Sequence, residues 1–294
     1  MPPSNFQHPT SDLRLFDTQR AFDSVAADYD GPSGNNALIQ RMRARAMAAV
    51  TANVPVGSSL IDLGCGTGLD AEYLGRMGYH VTATDWSPQM VERTRERIES
   101  AGLGARVEVL HLGIHELDGL PAGSFDGAYS DLGPLNCIPN LGAAATMIAR
   151  LLKPHGELIA SVIGRACPWE MALFAMKGDW ARAGARFAKQ MTTVPLNDGV
   201  VWTRYYSPRE FETIFAAAGF ERLSLRSLGL FVPPPYMIAF AERHPKMIGA
   251  LQELEDRVGN KILLREWGDH FLMAMNLSET SEVPAPRFLA IDRR

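Results

Sequence analysis

The chain has 294 residues, 46% of them hydrophobic and 21% charged. Those shares exclude a disordered, collagen-like or coiled-coil chain, and the length allows two domains or one elaborated domain. Lys and Arg total 29 against 33 Asp and Glu, so the net charge of -4 presents no broad basic face to phosphates and no nucleic acid partner is expected.

The first dozen residues are Pro-rich and polar, which predicts unstructured chain. From Asn36 to Val50, Leu38, Met42, Ala46 and Ala49 recur at helical spacing and leave Arg41, Arg43 and Arg45 on a solvated face. Ser59 to Leu63 reads as a strand, the glycines of Gly64-Cys65-Gly66-Thr67-Gly68 punctuate it, and Asp70 to Met77 reads as a helix. A strand from His80 to Thr84 ends at Asp85, and Ser87 with Pro88 opens the next helix as N-cap and first-turn proline. Strands follow at Arg106–Leu110, Phe125–Ser130 and Glu157–Ile163, the last two separated by a helix over Gly142–Leu152 that a turn at 153–156 terminates. Strands alternating with helices predict an α/β fold with a doubly wound, mainly parallel sheet covered on both faces.

After Gly164 the alternation stops. Pro168 to Gln190 reads as helical, and Thr192 to Tyr206 as a hairpin turning at Asn197-Asp198-Gly199. Alternation resumes with a helix from Ser207-Pro208 through Ala218 and a strand from Glu221 to Leu230. A second interruption covers Pro233 to Gly268, and His270 to Asn276 reads as the last strand. The apolar stretch Leu228 to Ala241 is broken by Pro233, Pro234 and Pro235 and is too short for a membrane span, which needs about 20 residues. The N-terminus lacks the pattern of a secretory signal, and Cys65, Cys137 and Cys167 have no paired spacing, so a cytoplasmic protein with reduced thiols is expected.

The glycine loop narrows the ligand. Glycines let the chain turn tightly between strand and helix and leave amides and a helix N-terminus to face a nucleotide. A dinucleotide fingerprint needs glycines at the first, third and sixth loop positions, but here those are Gly64, Gly66 and Leu69, with Gly68 two residues after Gly66. That spacing argues against a pyrophosphate site. The run Ile61-Asp62-Leu63-Gly64-Cys65-Gly66-Thr67-Gly68 instead resembles the first motif of class I S-adenosylmethionine (SAM)-dependent methyltransferases. The resemblance continues through Phe22 to Tyr29, Asp85 to Met90, Phe125-Asp126 to Ser130, Leu151 to Leu158 and Tyr206 to Phe220.

The resemblance implies a Rossmann-like class I methyltransferase fold: a seven-stranded sheet with an antiparallel last strand and an inserted helical cap. It implies SAM as cofactor, a small-molecule substrate and residues for both. Tyr29 would approach the cofactor carboxylate, Asp62 its amino acid end, Gly64, Gly66 and Gly68 its backbone path, and Met90 and Ser130 the motifs around it. Independently of the family, Asp85 at the tip of the second strand suits both ribose hydroxyls and Trp86 an adenine face. Where relatives often carry an acidic residue after the third strand this chain has Gly113, so the backbone of Gly113 and Ile114, beside His115 or Glu116, is expected to take over.

Methyl transfer from a sulfonium needs mainly alignment, and a base only where the acceptor loses a proton. Candidate catalytic groups are Asp131, Asn136 and Tyr206; candidate substrate contacts are Trp169, Glu170, Tyr205 and Tyr236. Cys137 reads as buried filler. His111 and His115 lie four apart in a strand and loop, where that spacing does not make a ligand pair, and no metal is expected. The expected organisation is a flexible N-terminus (1–20), a SAM-binding core (21–164), a cap insertion (165–206), core continuation (207–232), a second cap insertion (233–268), and the last core strand with a tail (269–294). The expected activity is transfer of a methyl group to a small, partly apolar or lipid-like metabolite, with oxygen, nitrogen, sulfur or carbon as acceptor. A non-catalytic SAM-binding module and an NAD-dependent oxidoreductase stand as alternatives.

Overall fold

A computed structural model describes residues 12–31 and 34–279. In chain order the elements are α1 (Leu13–Val25), α2 (Ala37–Asn53), β1 (Ser59–Leu63), α3 (Leu69–Met77), β2 (His80–Asp85), α4 (Pro88–Ser100), β3 (Val107–His111), β4 (Phe125–Ser130), α5 (Leu141–Leu151) and β5 (Leu152–Ile163). They continue with α6 (Pro168–Met176), α7 (Trp180–Ala183), β6 (Thr192–Leu196), β7 (Gly199–Thr203), α8 (Pro208–Ala216), β8 (Phe220–Leu228), α9 (Ile238–Arg243), α10 (Pro245–Val258) and β9 (His270–Leu277).

Seven strands form one sheet in the order β3-β2-β1-β4-β5-β9-β8. β9 runs antiparallel to β5 and β8, and the pairs among β1 to β5 are parallel. The central strands are buried on both faces, as a sheet between helix layers requires: four of the five β1 residues are fully covered. One core layer joins the sheet to α5 and α8 through residues such as Ile148, Phe211 and Phe215. The other joins it to α2, α3 and α4 through Met42, Leu74 and Ile98. The expected seven-stranded sheet with an antiparallel last strand is therefore what the chain forms.

The differences from expectation have local causes. Residues 13–20, expected to be flexible, begin helix α1: Asp12 caps it by accepting the Arg14 amide at 3.0 Å, and Leu15, Thr18 and Ala21 bury one face. Residues 1–11 of the expected flexible N-terminus and 280–294 of the expected tail lie outside the described residues. The turn expected at 153–156 is instead a kink within β5, where His155 has a φ of 61° and the register with β4 slips between Phe125 and Gly127. Arg41, Arg43 and Arg45 are not a solvated face: they pair with Asp256, Asp70 and Glu255 respectively.

The two interruptions differ. The first contributes α6, α7 and the β6–β7 hairpin, which lies on α1: the Trp202 amide donates to Thr18 Oγ1 at 3.0 Å, and Gly199 packs against Ala21. The second places α10 against α2, with Ile248 and Ala241 joining Leu38 in a small apolar cluster. The fully buried Glu255 of α10 accepts the amides of Gly229, Leu230 and Phe231 at 2.9, 2.9 and 3.1 Å, fixing the chain as it leaves β8. No helix among the described residues is long and apolar enough to cross a membrane.

Candidate functional site

A cavity of about 640 Å³ runs along the carboxyl edge of the parallel strands. One end is built by the loops after β1 to β4, the other by the two interruptions. At the first end Gly64 and Gly66 have φ values of 81° and 56°, and a Cβ on Gly64 would lie 2.5 Å from Pro134. Glycine is thus required by both conformation and space. The loop's amides do not face the cavity as donors: those of Gly64 and Cys65 go to the Thr84 carbonyl, and that of Gly66 to Asp85 at 2.9 Å. The loop brings bare backbone to the cavity wall while its hydrogen bonds hold the tip of β2. Gly68 caps α3 in the left-handed region with Thr94 against it, and is not part of the wall.

Asp85 lines the cavity and also accepts the Ser87 amide at 2.8 Å. Burial pushes its carboxyl up to about 6, against the two backbone hydrogen bonds. Trp86 stacks on His111 at 5.6 Å and meets His115 edge-on at 4.7 Å; its indole Nε1 is buried without a hydrogen-bond partner. Tyr29, Met90 and Ile114 complete this wall. Gly113 itself does not line it: its amide faces Glu116 Oε2 at 3.5 Å, and a Cβ there would run into the His115 ring and Trp86. The exposed contacts are those of Leu112, Ile114 and His115. Ser130 is also behind the wall, its hydroxyl spent on the Leu63 carbonyl at 3.0 Å.

Below the glycine loop lies a knot of charge. Arg43 Nη1 bonds Asp70 Oδ2 at 2.5 Å, and Tyr129 donates to the same oxygen at 3.3 Å. Asp131 lines the cavity beside them with both carboxylate oxygens buried and unpartnered. Asp62 sits deeper, outside the wall, where burial and then Asp70 hold its carboxyl well above the usual range. Burial opposes the charge on Arg43, but Asp70 and Asp131 outweigh it and keep the guanidinium charged. Asp70 and Asp131 against Arg43 give this end an excess of acidic groups even without Asp62, whose charged form burial disfavours.

At the other end Glu170, Tyr205 and Tyr236 line the cavity as expected from the sequence. Arg186 ties them together: it pairs with Glu170, bonds Asp269 Oδ1 at 2.7 Å, and lies over the Tyr205 ring at 5.3 Å. Tyr236 donates to Glu170 at 3.3 Å. Three expected residues are not in the wall. Trp169 donates from Nε1 to the Phe231 carbonyl at 2.8 Å, just before the second interruption, and meets Phe240 of that interruption edge-on at 5.8 Å. Asn136 is fully buried, with its amide spent on the backbone of Ile163 and Arg204. Tyr206 is fully buried against Phe211 in the core. Cys137, read as filler, does line the cavity, and burial pushes its thiol up to about 12, so it stays protonated.

Arg43, Asp70, Arg186, Asp269 and His270 were not legible as site residues. For the last two a signal exists. Strand β9 is antiparallel, so its first residues fall at the edge where the parallel strands end, and an Asp-His pair there reaches the cavity.

Residues 61–160 match the family model described as a methyltransferase domain. A ubiquinone biosynthesis O-methyltransferase of Xanthomonas axonopodis pv. citri (strain 306) is 33% identical over 138 residues, 47% of this chain and 56% of that protein. One from Xylella fastidiosa (strain 9a5c) is 31% identical over 151 residues, 50% of this chain and 60% of that one. The chain thus spans little more than half the length of these curated relatives. Among solved structures, the [4+2]-cyclase SpnF superposes with a TM-score of 0.60 at 18% identity, over 89% of this chain and 96% of that one. The CcbJ methyltransferase of Streptomyces caelestis gives 0.59 at 16% identity, over 89% and 99%. At such identities these likenesses speak to the fold.

Proposed function

Since residues 61–160 are a methyltransferase domain of the class I, SAM-dependent family, we propose that the chain transfers a methyl group from SAM to a small, partly apolar acceptor by in-line displacement. The observation that carries this reading is the single cavity joining the glycine-loop end to the end walled by the interruptions. Such a cavity lets two molecules meet with their reacting atoms aligned, and alignment contributes roughly 7–11 kcal/mol in favourable cases.

The residues present fit the cofactor. Asp85, ionised, accepts from ribose hydroxyls, and Trp86 with Ile114 and His115 borders the flat face of a base. The unpartnered carboxylate of Asp131 and the acidic excess around Arg43 suit a ligand carrying ammonium and sulfonium charges. Tyr29, Gly64, Gly66 and Met90 fill the remaining wall, while Asp62, Gly68, Gly113 and Ser130 support it from behind. When bound, SAM supplies a methyl group already activated by its positive sulfur. Among the described residues, the core of 21–164 and 207–232 holds that end, and the insertions 165–206 and 233–268 enclose the acceptor together with Asp269 and His270 at the start of the last core strand. Three free thiols fit a reducing cytoplasm.

The curated relatives are O-methyltransferases by name, which makes oxygen the first acceptor to test. A second reading has its own support: a cyclase shares this fold, so the fold alone does not dictate methyl transfer. Labelled-methyl SAM incubated with the chain and fractionated cell extracts decides between them. The proposal expects a labelled small product, lost in Asp85→Ala; SAM binding without any labelled product would favour the second reading.

A further inference from the structure

At the acceptor end, the first residue of β9, His270, lines the cavity and is almost fully buried. Its Nδ1 lies 3.0 Å from Asp269 Oδ2. Arg186 bonds the other oxygen of the same carboxylate at 2.7 Å and adds a bond to the Asp269 carbonyl at 3.0 Å. Burial works against the Asp269 charge, but Arg186 and then His270 hold its carboxyl far below the usual carboxylate range. An ionised carboxylate can only accept, so Nδ1 carries the hydrogen. That leaves Nε2 of the neutral ring as a lone-pair acceptor, with no hydrogen-bond partner among the described residues. A histidine oriented by a carboxylate, with its far nitrogen free in a cavity, is the arrangement of a general base.

The sheet places this group suitably. Ile163 of β5 pairs with His270, and Ser130 of β4 pairs with Ala160, so Asp131 and His270 lie two strands apart on the same edge. With strands about 4.8 Å apart and a rise of about 3.3 Å per residue, their backbones are separated by roughly 12 Å, enough for one flat ring between them. Apolar wall between the two ends comes from Ile138, Ile163, Val194 and Leu196. The titratable or charged groups around His270 are Asp269 just before it in the chain, Glu170 of α6, Arg186 after α7, Tyr205, Tyr236, and Cys137 and Asp131 further along the wall.

We infer that His270, oriented by Asp269 and Arg186, is the general base of the transfer, and that the acceptor is a weakly acidic hydroxyl on an aromatic or enolic carbon. This rests on the methyltransferase reading above. His270 Nε2 takes the hydroxyl proton as the acceptor oxygen bonds the methyl carbon and the carbon–sulfur electron pair stays on sulfur, leaving a neutral thioether. A phenol resembles tyrosine, with a pKa of about 10, whereas an aliphatic alcohol is as weak an acid as water. A neutral imidazole is therefore a much better matched base for the phenol than for the alcohol.

The test uses phenol, catechol and 4-nitrophenol as acceptors in mildly alkaline buffer, with product counted from labelled SAM. His270→Gln is expected to slow methylation of phenol and catechol by roughly 10²–10⁴-fold. Transfer to 4-nitrophenol, which ionises unaided, should fall by less than about tenfold, and SAM affinity by calorimetry should stay unchanged. Nitrogen NMR should find the His270 hydrogen on Nδ1 in the wild type but not held there in Asp269→Asn. Equal losses on all three acceptors, no loss on any, or a hydrogen on Nε2 would overturn the inference. So would a wild-type chain that binds SAM and methylates none of the three. A folded chain that does not bind SAM would instead overturn the reading beneath it.

Discussion

The two ends of the cavity are built by different means. At the glycine-loop end, strand tips and their loops carry much of the wall, joined by Arg43 of α2 and Met90 of α4, and even the amides of Gly64, Cys65 and Gly66 are spent on securing β2. At the acceptor end the wall rests on inserted segments of thin packing: no residue of α6 is fully buried, and Met176 and Trp180 stand 80% and 73% exposed. What fixes that end is a polar network centred on Arg186. A site made this way keeps its cofactor half constant while its substrate half is free to change with the insertions.

The sharpest way to break this contrast is Arg186→Met, which strands Glu170 and Asp269 without their shared cation. Removing one partner of a buried pair costs about 3–5 kcal/mol, so urea unfolding should show a loss of that size, while SAM affinity of the folded variant holds. A parallel fall in SAM affinity would mean that the two ends are not separate. Next in size, Asp85→Ala should weaken SAM binding by about 1.5–3 kcal/mol in calorimetry, through lost charge-assisted hydrogen bonds, and leave the Arg186 end untouched.

The same carboxyl gives a pH signature. Because burial raises Asp85 to about 6, it is ionised and able to accept above that pH and becomes protonated as pH falls through it. SAM affinity should therefore drop by up to about tenfold per unit below about pH 6, and Asp85→Asn should flatten the curve. The smallest effect concerns the contact of α1 with the hairpin. Thr18→Val removes the acceptor of the Trp202 amide and should cost about 0.5–1.5 kcal/mol by thermal unfolding.

The same contrast governs what could be read from the sequence. The sheet and the glycine-loop end follow from local signals: short apolar runs, positive-φ glycines, and an Asp at a strand tip. Asp85, Trp86, Gly64, Gly66 and Tyr29 accordingly fall in the wall. The acceptor end depends on contacts distant in sequence. Arg186 meets an Asp 83 positions away, and nothing around it signals that pairing. Arg43 was hidden for a related reason, since a helical arginine beside an apolar stripe looks the same whether it meets water or a buried Asp70. Asn136 and Tyr206 erred in the opposite direction: polar groups near strand ends suggest chemistry, yet both are absorbed by backbone bonding or core packing. Helix α1 was not read from the sequence, because its stripe of Leu15, Thr18 and Ala21 is too weakly apolar to stand out.

The most direct test of the account is amide hydrogen exchange of the full chain with and without SAM. Binding at the glycine-loop end predicts slower exchange over residues 63–68, 84–87 and 112–116, with α6 and α7 unchanged. SAM that protects none of these segments, or protects only α6 and α7, would contradict it.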